Sequence, residues 1–434
     1  MAEKVAFWFR RDLRLDDNVG LAKALKSGHE VVPVFIFDRE ILDELPAQDA
    51  RVDFIHRTIW DLQHSLGELG SSMVVKYGQP LEIWPQLLVE HKLSCVYTNH
   101  DYEPYALQRD GKLREMLAEK GVGFETFRDQ VIFEREEIVS KAKGTAYTVF
   151  TPYSKAWKAA LTKDRLADVK TEAHFGQFWS SPALPIPSLK EMGFQETDTW
   201  FPERIPDKEI IKLYDQTRNF PSLNGTSRTG LHLRFGTLSI RKLVRVAKAL
   251  NETYLNELIW REFYMQILAN FPHVVNGPFR TQYAAIKWRE NKEELALWKA
   301  GKTGYPMVDA GMREIAATGH MHNRSRMVVA SFLTKHLLIN WQEGERYFAE
   351  KLLDFELSSN NGGWQWAAGS GTDAAPYFRI FNPESQFKKF DPKGAYVRKW
   401  VPEYGTPAYP KPIVDHKMAR DRCLSAYKLA LGRE

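Results

Sequence analysis

The chain has 434 residues, 44% hydrophobic and 13% aromatic, with a formal net charge of +5; that length predicts two domains with sizeable cores, and the mild basic excess suits a phosphate-bearing partner without requiring one. Only Cys95 and Cys423 are present, which excludes a disulfide framework and a cysteine zinc site and points to a reducing, cytoplasmic compartment. No stretch approaches the roughly 18 apolar residues of a membrane span, and Arg10 and Arg11 stand where a signal peptide needs its apolar run.

In chain order, Val5–Phe9, Val31–Phe37, Met73–Val75, Cys95–Thr98 and Phe124–Phe127 read as buried strands. Amphipathic helical stretches lie between them at Gly20–Leu25, Val52–Leu66 and Ala106–Lys120. Strand–helix alternation means βαβ units and a parallel, Rossmann-like sheet over residues 1–130. No GxGxxG follows the first strand, so the usual dinucleotide fingerprint is missing. From 131 to 204 the pattern loosens around Pro182, Pro185, Pro187 and Pro202, which predicts a surface linker. Beyond 205 the strand signal ends. Helical periods recur at Lys208–Arg218, Ile240–Lys248, Leu255–Ala269, Lys292–Lys299, Tyr305–Ala317, Asn323–Asn340 and Glu343–Leu353. The expected fold is thus an α/β N-terminal domain plus an all-α C-terminal domain over 205–434, with Asn323–Asn340 apolar enough all round to run inside the bundle.

Two suggestive motifs fail on context. Ala296–Thr303, ALWKAGKT, fits a relaxed P-loop, but it follows a charged helical segment instead of a strand and lacks the glycines that cradle phosphates. The histidines show no HExxH-type spacing, so no metal site is expected.

Other constellations carry chemistry. In NELIWREFYM, Glu257, Trp260, Arg261 and Tyr264 fall at i, i+3, i+4 and i+7 and share one helix face. A carboxylate, a guanidinium and two aromatics on one face suit either an ion pair with packing or the wall of a pocket for a flat heterocycle. Asn323 and Met327 are likewise i, i+4. Residues 354–383 are rich in glycine, with Asn360 beside Asn361 and Trp364 near Trp366. That composition reads as a poor helix and a poor core, and suggests close backbone approach to a planar group.

At these residues the chain resembles the photolyase/cryptochrome flavoproteins over nearly its whole length. The resemblance rests on WFRRDLRLDDN at 8–18, NELIWREFY at 256–264, TGYPMVDAGMRE at 303–314, MHNRSRM at 321–327 and NNGGWQWAAGSGTDAAPYFRIFNP at 360–383. Within the family MHNRSRM at 321–327 and NNGGWQWAA at 360–368 look most like class I cyclobutane-dimer photolyases. The resemblance implies an N-terminal antenna-binding domain and a C-terminal helical domain holding FAD. It also implies light-driven repair of pyrimidine dimers in DNA by electron transfer from excited reduced FAD to a flipped-out dimer. The expected partner is DNA containing pyrimidine dimers, with no membrane and a monomeric chain. The rivals within the family are a cryptochrome photoreceptor and a (6-4) photolyase, the latter placing histidines where Asn323 and Met327 stand.

Carried over residue by residue, the resemblance puts Tyr214 and the loop Thr226, Ser227, Arg228, Thr229 and Gly230 at the FAD phosphates. Tyr254 stands where a tryptophan is usual, Glu356 where an aspartate is usual, and Thr229-Gly230 where Leu-Ser is usual. Asp354 and Glu356 frame the flavin, with Arg326 the ion partner of Asp354. Asn360 matches the residue facing flavin N5, where an aspartate typifies plant signalling cryptochromes. Glu257, Trp260, Asn323, Met327 and Trp366, joined by Arg261 and Tyr264 on the shared face, match the dimer pocket. Arg218, Arg324 and Gln386 match backbone contacts beside it. Trp288, Trp341 and Trp364 match an electron chain that photoreduces oxidised FAD. For the antenna, DYEPYALQRD at 101–110 lacks the Asn-Glu pair associated with folate, leaving a deazaflavin, FMN, folate or an empty site.

Overall fold

In the computed structural model, which describes residues 4–141 and 144–432, the five apolar runs pair as one parallel sheet. The strands are β1 (Lys4–Phe9), β2 (Glu30–Asp38), β3 (Val74–Gly78), β4 (Leu93–Asn99) and β5 (Gly123–Phe127), in the order β3-β2-β1-β4-β5. This is the doubly wound order: the chain steps outward from β1 to β3, then returns to lay β4 beside β1. Trp8 pairs with Val34 on one side and Thr98 on the other. Because side chains alternate along a strand, Ala6, Trp8, Val32, Val34 and Val96 share a face, and Trp84, Leu87, Leu113 and Leu117 close over it. Trp84 belongs to Pro80–His91, a helix outside the expected elements. Pro80 sits in its first turn, where a missing N–H costs nothing.

Packing divides the chain into two compact units that interleave in sequence. One comprises Met1–Glu134, Leu161–Ile205 and Thr229–Val246; the other comprises Arg135–Ala160, Pro206–Arg228 and Ala247–Glu434. The span expected as a linker, 131–204, is shared between them for identifiable reasons. Phe150–Ala160 is a helix with Tyr153, Ser154 and Trp157 buried, and the Trp157 indole N–H donates to Glu262 at 2.6 Å. Further on, the Trp179 backbone N–H donates to the carbonyl of Val31 on β2 at 3.0 Å, which ties that part of the span to the sheet.

Within the α/β unit, charge is buried and closed. Asp129 accepts from Arg14 at 2.5 Å and from Arg241 at 2.9 Å, while Arg241 also reaches Asp17 at 3.2 Å. Burial pushes the Asp129 carboxyl up, but the two guanidiniums outweigh it and hold it below the usual carboxylate value.

The helical unit rests on four helices. Glu252–Asn270 starts at Asn251, whose side chain accepts from the Tyr254 N–H. Asn323–Ser331 is capped by His322 and runs into a π turn, Phe332–His336, and Leu338 beyond it has φ +52°. The single helix expected over Asn323–Asn340 is therefore broken, and while residues 328–339 are buried as that reading requires, Asn323 is exposed and Arg324, Arg326 and Met327 are half-buried. Trp341–Lys351 follows, capped by Asn340.

The fourth helix corrects the reading of 354–383. Leu357–Ala368 is helical and largely buried, ending at Gly369 in the left-handed conformation. Weak propensity is overcome by tertiary bonds. Asn361 donates to the Val274 carbonyl at 2.9 Å, and Gln365 donates to those of Val274 and Gly277 at 3.0 and 3.1 Å. Gly362 is required by close approach: a Cβ there would lie 2.2 Å from the Tyr264 ring.

Candidate functional site

All four helices, with Arg218 and the segment from Leu352 to Glu356, line a cavity of about 440 Å³ in the helical unit. Glu252–Asn270 supplies Glu257, Trp260, Arg261 and Tyr264, the face read from the i, i+3, i+4, i+7 spacing. Asn323–Ser331 supplies Asn323, Arg326, Met327 and Ala330. Leu357–Ala368 supplies Ser359, Asn360, Gly363, Trp364, Trp366 and Ala367, and Arg218, Asp354 and Glu356 complete the polar rim.

Ion pairs organise the wall. Arg218 meets Glu257 at 2.5 Å; burial raises the Glu257 carboxyl above its usual value, and Arg218 opposes that only in part. Arg326 binds both oxygens of Asp354, at 3.0 and 2.9 Å, and its Nε donates to the Met321 carbonyl. Arg261 lies 3.3 Å from Glu356, and both are nearly buried. The Asn360 amide nitrogen donates to the Glu345 backbone carbonyl at 2.9 Å, which fixes its orientation. Trp260 stacks flat on Phe150 with centroids 3.8 Å apart and leans against Tyr264 at 5.4 Å.

The other expected residues gather elsewhere. Tyr214 and Tyr254 meet edge to face at 5.1 Å, and the Tyr254 hydroxyl is 2.7 Å from that of Ser227. Thr226 is half-buried beside Ser227, and Arg228 adopts φ +53°. Thr229 and the helix beginning at Gly230 belong to the α/β unit. Arg324 lies over the Phe390 ring at 4.1 Å and donates to Asn219 at 2.6 Å; Gln386 is half-buried on Pro383–Phe390. Trp341 and Trp364 share one buried cluster, with the half-exposed Trp288 packed against it. Sequence reasoning missed Phe348, Leu352, Phe355, Ser359 and Gly363 in the lining. Ser359 and Gly363 were findable: once the segment is a helix, 359, 363 and 366 fall at i, i+4 and i+7.

A planar heterocycle with hydrogen-bonding edges fits this lining. Aromatic and apolar walls alternate with oriented ion pairs, as small-molecule sites require. Gly363 lines the cavity and is exposed there, and a Cβ on it would meet nothing within 4 Å, so any side chain would project into space the helix keeps clear. Among the described residues no group of histidines, cysteines and carboxylates is arranged to hold a metal.

Comparison with known proteins places this fold in a flavoprotein class. Residues 254–408 match the family described as the FAD binding domain of DNA photolyase, and residues 5–173 match the family described as DNA photolyase. A deoxyribodipyrimidine photo-lyase from Synechococcus sp. is 37% identical, covering 98% of this chain and 97% of its own. A class III photolyase from Agrobacterium tumefaciens superposes with a TM-score of 0.87 at 32% identity, covering 99% of this chain and 98% of its own. An archaeal photolyase from Sulfolobus tokodaii, solved with two FAD molecules, superposes at 0.85 and 31% identity, covering 98% of this chain and all of its own. The chain belongs to the DNA photolyase family and carries its FAD-binding domain. Likeness to a class III structure extends the resemblance beyond class I. No helix among the described residues is long and apolar enough to cross a membrane.

Proposed function

We propose that this chain repairs cyclobutane pyrimidine dimers in DNA under blue light, with FAD and the flipped-out dimer meeting in the 440 Å³ cavity. The observation that carries this reading is the convergence of Glu257, Trp260, Asn323, Met327, Trp366 and Asn360, from three helices, in the lining of one cavity. Bound FAD, when reduced and excited, supplies the electron that opens the dimer. The rest falls to the protein. Asp354, held by Arg326, and Glu356, beside Arg261, would offer oriented carboxylates to the flavin. Asn360 would offer it a neutral amide, which hydrogen-bonds without releasing a proton. Tyr214, Thr226, Ser227, Arg228 and Tyr254 would hold the phosphate end.

The dimer needs an apolar slot with hydrogen bonds to its Watson–Crick edges. Trp260, Met327 and Trp366 supply the slot and Asn323 an amide. Glu257 would hydrogen-bond a base imide through its Oε atoms, and Arg218, 2.5 Å away, fixes its orientation. Asparagine and methionine at 323 and 327, where a (6-4) enzyme has histidines, favour the cyclobutane lesion. Arg218, Arg324 and Gln386 flank the slot toward the strand, whose binding weakens with salt. Trp364, Trp341 and Trp288 carry electrons inward when FAD starts oxidised.

Glu257→Ala tests the assignment. Loss of one hydrogen bond to a charged group costs about 1.5–3 kcal/mol, roughly ten- to a hundredfold in dimer affinity or splitting rate, with FAD content unchanged. A variant that instead emerges without flavin contradicts the role given to Glu257.

A further inference from the structure

The neighbours of Trp364 include a second tryptophan outside the outward chain. Trp298, on the helix Lys292–Lys299, is fully buried, and its ring centroid lies 6.1 Å from that of Trp364 at an interplanar angle of 71°. Beyond it stands Tyr347, 5.7 Å from Trp298. Close contact is built in from the other side as well: Gly344 leaves room for Trp364, since a Cβ there would fall 2.1 Å from the indole.

The two indoles differ in what their N–H groups meet. The Trp364 Nε1 is buried and finds no partner among the described residues. The Trp298 Nε1 donates to the Val329 carbonyl at 3.2 Å. A hydrogen bond strengthens when its donor becomes cationic, so an electron vacancy is stabilised on Trp298 over Trp364 by about tenfold or more. The next step outward is disfavoured. Lys299 sets its ammonium 5.4 Å from the Tyr347 ring centre, and the Tyr347 hydroxyl donates to the Lys299 peptide carbonyl at 3.4 Å, an acceptor that takes no proton.

We infer that Trp298 is a side branch of the electron chain: it refills Trp364 and then holds the vacancy in the interior. The inference rests on the electron-chain reading above. One electron leaves Trp364 for light-excited oxidised flavin, and Trp364 becomes a radical cation. One electron then passes from Trp298 to Trp364, which is neutral again while Trp298 carries the charge and keeps its N–H proton. Trp298 has no exposed edge from which an external reductant could refill it, so its vacancy ends only when the electron returns. The branch therefore competes with the route through Trp341 to Trp288.

Flash spectroscopy of the tryptophan radical cation in FAD-loaded, oxidised protein tests this. In Trp341→Phe the outward route is closed, and Trp298 is the tryptophan that still meets the Trp364 ring and can hold the vacancy. Adding Trp298→Phe should then shorten the radical lifetime severalfold; equal lifetimes in the single and double variants overturn the branch. If phenylalanine at this buried position prevents folding, Trp298→Tyr serves, because a tyrosine there has only a carbonyl for its proton and should shorten the lifetime likewise. Tyr347→Phe should leave the lifetime unchanged, and a change would show that the vacancy moves on, against the inference. Trp364→Phe should abolish the early radical in every background. If it does not, the electron-chain reading fails instead of the branch.

Discussion

Both units bury charged groups, but they use them in opposite ways. In the α/β unit Asp129 is buried between Arg14 and Arg241, with Asp17 closing the set, and of these four only Arg241 reaches a described cavity. In the helical unit Glu257, Asp354 and Glu356 each have an arginine too, yet each pair faces an open cavity. A buried ion pair with every lone pair satisfied sets a fold. The same pair with one side left to a cavity is oriented for something else to bind.

The sharpest way to break that contrast is Asp129→Asn. Two buried guanidiniums lose their shared carboxylate, at a cost of about 3–5 kcal/mol, read as a lower urea midpoint by near-ultraviolet circular dichroism. A loss below about 1 kcal/mol would mean that the network carries no more than a surface pair.

Two adjacent glycines sharpen the comparison inside the cavity wall. Gly362→Ala drives a Cβ into the Tyr264 ring and should destabilise by about 1–3 kcal/mol. Gly363→Ala meets no atom within 4 Å, so stability should hold while bound FAD, measured by absorbance per chain, falls. Equal effects at both positions would contradict the reading of Gly363 as space kept for a ligand.

A pH slope gives a further test. Glu345 accepts from Asn361 at 2.9 Å, and burial, opposed by that amide, pushes its carboxyl from 4.5 up to about 7. Between those values the folded chain holds a proton that the unfolded chain has released, so stability falls as pH rises through the window and levels off above about 7. Glu345→Gln should flatten that slope in thermal melts across the same range. Parallel profiles for the two proteins would remove Glu345 as its source.

The sheet and the 257–264 face were legible because their signals are periodic and local. Trp8, Val34 and Val96 announce a buried parallel sheet by apolar runs alone, and the Glu257 face follows from 3.6-residue geometry. Leu357–Ala368 was not legible, because Asn361 and Gln365 stabilise it through carbonyls at 274 and 277 that no local window contains. The π turn at Phe332–His336 shifts register by one residue inside a stretch dense in apolar residues, so periodicity passes over it. Phe150–Ala160 was hidden in the expected linker, since its anchor, Glu262, lies about a hundred residues onward. Asn360, Asp354 and Trp364 were named through the family resemblance, because composition alone assigns them no partner.

The most direct test of the central claim is blue-light repair of a cyclobutane thymine dimer in DNA by the purified, photoreduced protein, with a dark control. The account predicts light-dependent restoration of the two thymines and none in the dark. Protein that binds FAD and photoreduces normally, yet leaves the dimer intact under light, would contradict it.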